Sequence, residues 1–139
     1  MNPARLPAQT SEPPTALTGF EVDLAVERML GQPALWFEAL QLFVRHFADW
    51  ESKWQAAQGD DAAERRCVHA LRSGSANVGA SHLSTVAAAL EERLALRCVG
   101  QSEAIPESAR ADLKECFNKS WRAAATACQF SGAAAEEKQ

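Results

Sequence analysis

The stretch CVHALRSGSANVGA, Cys67 to Ala80, places one histidine, His69, among arginines and small residues: Arg65 and Arg66 precede it, and Arg72, Ser73 and Ala76 follow. Wound as an α-helix at about 100° per residue, the stretch brings Arg65, Arg72, Ser73 and Ala76 within roughly 60° of His69. Cys67, Leu71, Gly74 and Val78 gather on the opposite side, so the histidine points away from the apolar stripe. An exposed imidazole is largely neutral at cellular pH and offers a nucleophilic ring nitrogen, which can accept a phosphoryl group. The neighbouring turns of the same helix supply no Asp or Glu as a base for His69. They supply positive charge and room instead. Arg65, Arg66 and Arg72 can offset the negative charge of a phosphohistidine, and Ser73 and Ala76 leave the imidazole unshielded. The competing readings are an ordinary surface histidine at 69 and a solvated face at 65 and 66. A metal site built from Cys67 and His69 is unattractive, because the two lie about 160° apart on one helix and no second ligand pair has zinc spacing.

The remaining sequence predicts the elements that position this helix. With 139 residues, 47% of them hydrophobic, no Tyr and few Gly or Pro, the chain reads as one all-α domain with a single core. Apolar residues from Phe20 to Leu30 follow helical spacing up to Gly31, which predicts a short first helix. Pro33 suits the first turn of a long second helix with the series Trp36, Leu40, Phe43, Phe47, Trp50, Trp54, whose alternating 3 and 4 spacing is that of a bundle seam rather than a ligand box.

Asp60 or Asp61 can cap the helix that carries His69, and Gly79 suits a left-handed turn at its end. Ser81 can open the next helix, which packs through Leu83, Val86, Ala87, Leu90 and Leu94 with Glu91, Glu92 and Arg93 off that face. A last helix after Pro106 packs through Leu113, Phe117, Trp121 and Ala124 and stops at Ser131-Gly132. The expected architecture is an antiparallel up-down-up-down four-helix bundle with a short additional N-terminal helix. Its expected divisions are a proline-rich disordered linker or tail at 1–18, the bundle domain at 19–131 and a solvated C-terminal tail at 132–139.

The formal charge of -4 speaks against nucleic acid as a partner. No apolar run is long enough to span a bilayer, and the four cysteines have no C-x-x-C spacing and read as reduced thiols in a cytoplasmic setting. His82, at the start of the helix after Gly79, and His46, beside the aromatic seam, read as surface groups. A monomer is expected, since each helix needs only one apolar face covered.

The string from His69 to Ala80 resembles the signature of histidine-containing phosphotransfer (HPt) domains, H-x-L-K-G followed by small residues and G-A. Its matches are His69, Leu71, Arg72 in the lysine position, Gly79, Ala80 and Leu83, with Leu90-Glu91 continuing the pattern. The entry GFEVDLAVERMLGQPALWFEALQLF resembles the family's first helices, so the resemblance covers about residues 19–125. Ser73 stands where the family usually has Gly.

The resemblance implies a phosphorelay carrier. A receiver domain of a hybrid sensor kinase or response regulator passes the phosphoryl group of its aspartyl phosphate to His69, and another receiver takes it away. On this reading the partner supplies the catalysis and the Mg²⁺, the chain has no cofactor or metal of its own and is not itself an enzyme, and the proline-rich start suits a tether to an upstream domain such as that of a membrane-anchored hybrid sensor kinase. The other function class that fits the same helices is a bundle adaptor that binds a signalling partner without phosphorylation.

Overall fold

The computed structural model describes residues 12–101 and 103–137, with side chains as far as Gln129. Six helices, and no strand, occur among the described residues: α1 (Val22–Arg28), α2 (Pro33–His46), α3 (Trp50–Ala57), α4 (Asp61–Asn77), α5 (Ser81–Cys98) and α6 (Glu107–Glu137). The fold is an all-α helical bundle whose layers are cross-linked in antiparallel order. His69 meets Glu91 and Arg97 meets Asp61 between α4 and α5, while Trp121 reaches Val44 and Lys114 reaches Glu51 between α6 and the α2–α3 arm.

The expected long second helix is instead two helices. Across Phe47–Asp49 the backbone tightens, with Ala48 N–H donating to Arg45 C=O at 3.5 Å and Trp50 N–H to Phe47 C=O at 3.1 Å. Such i to i−3 bonds wind a turn more tightly without reversing it, so the aromatic face carries through the break. Trp36, Leu40, Phe43, Phe47, Trp50 and Trp54 are all buried. Phe47 seats its ring against Gly74 of α4, where a Cβ would come within 2.6 Å of the ring. The indoles anchor the arm by buried donors as well: Trp36 Nε1 donates to Val78 C=O and Trp50 Nε1 to Cys67 C=O, both at 2.9 Å.

Helix α4 begins where Asp60 accepts from the Ala63 N–H at 3.1 Å, the N-cap arrangement that satisfies a first-turn donor. It ends at a left-handed Gly79, φ +89°. This glycine is doubly required, because a Cβ there would also sit 2.9 Å from the Glu21 carbonyl oxygen of the segment entering α1. The Glu21 N–H donates to Gly79 C=O at 2.8 Å, and Ser81, first residue of α5, uses its hydroxyl to donate to Glu21 rather than to cap its own helix.

The last helix differs from expectation at its end. Its backbone runs through Ser131-Gly132 to Glu137, so the expected stop, and with it most of the tail placed at 132–139, is helical. One internal glycine costs a helix only about 1 kcal/mol, and the following AAAEE favours continuation. At the other end Leu17 packs against the core, although it falls within the stretch expected to be a linker. Residues 1–11 of that stretch lie outside the described residues.

Candidate phosphoacceptor site

His69 projects from the middle of α4, and the antiparallel α5 brings Glu91 opposite it. The imidazole Nδ1 lies 2.8 Å from Glu91 Oε2, and Arg72 Nη1 donates to Glu91 Oε1 at 2.8 Å. Both carboxylate oxygens are thereby engaged. Glu91, expected off the packing face of its helix, is instead buried. It lies four residues after Ala87 and three before Leu94, inside the apolar stripe of α5. An acid in that register signals a partner on the facing helix, which His69 and Arg72 are. The expectation that His69 has no carboxylate partner holds along α4 itself and fails across the helix pair.

The electrostatics fix the chemical state of the cluster. Burial disfavours the Glu91 carboxylate, but the hydrogen bonds from Arg72 and His69 outweigh it and hold the carboxyl below its ordinary range. An ionised carboxylate can only accept, so the His69 Nδ1 carries the proton in this contact. The lone pair then resides on Nε2, the nitrogen that has no protein partner, and the His69 side chain is 58% exposed.

The remaining residues singled out around His69 differ in their surroundings. Arg72 is committed to Glu91. Arg65 and Arg66 are exposed and form no ion pair among the described residues. Both line a solvent-open groove with Ala62, His69, Glu91 and Cys98. Ser73 is exposed beside the histidine, whereas Ala76 is half-buried and its carbonyl accepts from Arg28 of α1 at 3.4 Å. Gly79 lies at the helix turn, away from the imidazole, and its role is to bring α5 back along α4. His46 stacks edge-on against Phe47 at 4.8 Å, and His82 is exposed on a separate groove between α5 and α6.

No group of three or more His, Cys, Asp or Glu arranged to hold a metal ion occurs among the described residues, and no described helix is long and apolar enough to cross a membrane.

Comparison with known families and proteins agrees with this geometry. The family model described as the Hpt domain matches residues 36–124, more than half of the chain. Comparisons with curated proteins and with solved structures find no match. The matched span runs from α2 into α6 and contains both His69 and Glu91. A surface imidazole on a helical bundle, held by a carboxylate of the facing helix and flanked by arginines, suits the phosphotransfer role of that domain in phosphorelays, and the chain belongs to the Hpt domain family.

Proposed function

We propose that His69 is the phosphoacceptor of a phosphorelay intermediate, with Nε2 as the atom that carries the phosphoryl group. The observation that supports this reading is the contact of Nδ1 with the ionised Glu91, which leaves the Nε2 lone pair directed away from the protein. In the transfer, that lone pair attacks the phosphorus of an aspartyl phosphate on a receiver domain. The N–P bond forms as the P–O bond to the aspartate breaks, and the aspartate leaves as a carboxylate. Nε2 has no proton to lose, so no general base is needed at the moment of attack. The ring becomes cationic, and the Glu91 carboxylate, bonded to the Nδ1–H, balances that charge. A second receiver reverses the same steps and takes the group away.

The chain's contribution on this reading is a positioned nucleophile and a favourable field. The acidic pocket and Mg²⁺ that activate the phosphoryl group belong to the receiver, and the chain needs no cofactor of its own. A test is incubation with receiver domains charged by acetyl phosphate, followed by the stability of the label transferred to this chain. The expected label is acid-labile and base-stable and is lost in His69→Gln. Label that survives this substitution would remove His69 from the role, and absence of transfer from every receiver of the source organism would favour a binding-only adaptor.

A further inference from the structure

The arginines around His69 are not equivalent. Arg72 spends one Nη donor on Glu91 and shares that carboxylate with the imidazole. Arg65 and Arg66, one turn before His69 on α4, have neither an ion pair nor a hydrogen-bond partner among the described residues. Residues three and four apart on a helix are surface neighbours, with Cβ atoms roughly 5–6 Å apart, so both guanidinium groups reach the imidazole's surroundings. They flank a groove of about 440 Å³ between the first half of α4 and the end of α5. Ala62, two turns before His69, contributes only a methyl group to this groove, and Cys98 closes its far end. Glu91 is the acid that lines the groove, and its charge is already met by Arg72. Farther along the same helix pair, Asp61 is taken by Arg97 at 3.0 Å. The groove therefore carries an uncompensated positive charge from two arginines beside the free edge of the imidazole.

We propose that this groove is an oxyanion site in which Arg65 and Arg66, and not Arg72, hold the phosphoryl dianion. The assignment rests on the reading of His69 as phosphoryl carrier for its biological use, but the anion site exists independently of phosphorylation. The dianion sits on the Arg65–Arg66 side of the imidazole, and each guanidinium offers paired N–H donors to its oxygens. Arg72 keeps the carboxylate, and thereby the histidine tautomer, in place. The incoming phosphoryl donor then approaches from the Arg65–Arg66 end of the exposed face of α4.

The test uses the full chain and inorganic phosphate. In His69→Gln, where no phosphohistidine can form, phosphate titration followed by NMR is expected to shift the Arg65 and Arg66 side-chain signals with a dissociation constant of roughly millimolar order. The additional pair Arg65→Gln and Arg66→Gln weakens binding at least fivefold, while Arg93→Gln, which removes one positive charge from an exposed position of α5 outside the groove, leaves it unchanged. The second arm loads wild-type protein with phosphoramidate, whose P–N bond breaks as Nε2 takes the phosphoryl group and ammonia leaves. The ³¹P titration midpoint of the bound phosphoryl group then moves to higher pH in the Arg65/Arg66 double variant and stays in place in Arg93→Gln.

Phosphate binding that is equal in the double variant and in Arg93→Gln, or absent altogether, would overturn the site. Failure of phosphoramidate to label His69, with phosphate binding retained in His69→Gln, would overturn the carrier reading and leave the anion site standing.

Discussion

Two buried glutamates each hold an arginine from a neighbouring helix, and they differ in what else they hold. Glu64 of α4 is fully buried; Arg110 of α6 grips both its oxygens at 2.8 and 2.9 Å, and Trp54 Nε1 donates to Oε2 at 3.0 Å. Every partner there belongs to the scaffold, and together they tie α3, α4 and α6. Glu91 of α5 is nearly as buried, but one of its two partners is an imidazole whose side chain is 58% exposed. The first network has its carboxylate fully buried with both oxygens engaged, whereas the second leaves one ring nitrogen unused at the surface. The same carboxylate–guanidinium pairing thus fastens the bundle in one place and orients an exposed imidazole in the other. What separates the two is whether a partner retains a free lone pair in solvent.

The largest effect that this contrast predicts is on stability. Arg110→Ala leaves the Glu64 carboxylate buried with only the Trp54 donor, and removal of one partner from a buried pair costs about 3–5 kcal/mol. Urea unfolding should show that loss, while the His69 ring resonances of the folded fraction stay as in wild type. A loss below about 1 kcal/mol would place Glu64 in the same lightly constrained class as Glu91 and dissolve the contrast.

A smaller effect concerns pH. Because its folded-state carboxyl titrates below the ordinary value of 4.5, Glu91 contributes stability that is fully present above that value and is lost as the pH falls through the lowered one. Unfolding measured across this acidic range should therefore fall more steeply for wild type than for Glu91→Gln, with the two profiles parallel near neutrality. The difference should be smaller than that for Arg110→Ala, since His69 and Arg72 are both about half exposed and solvent screens their contacts. Parallel profiles throughout would mean that the cluster contributes nothing to the fold.

Much of this arrangement was legible in residue spacing, and what was not has a physical reason. The aromatic series from Trp36 to Trp54 announced a buried face, and all six residues are buried. The break at Phe47–Asp49 was invisible because one tightened turn leaves the side chains on the same face. Gly79 could be read as a left-handed turn, but its close approach to Glu21 depends on a segment nearly sixty residues earlier in the chain. The orientation of His69 could be read from α4 alone. Its partner could not, because Glu91 is 22 residues away and looks like one of two consecutive surface acids until α5 is laid against α4. The same dependence on a facing helix hid the difference between Arg72 and its two fellow arginines, which along α4 appear alike.

If Glu91 fixes the histidine tautomer so that Nε2 is the nucleophile, ¹⁵N NMR of the imidazole near neutral pH reads it out. In wild type the expected spectrum is that of a ring protonated at Nδ1 with an unprotonated Nε2. Glu91→Gln should give a mixture of tautomers, because an amide can donate to Nδ1 as well as accept from it. A wild-type ring protonated at Nε2, with its lone pair on the nitrogen facing Glu91, would contradict the account.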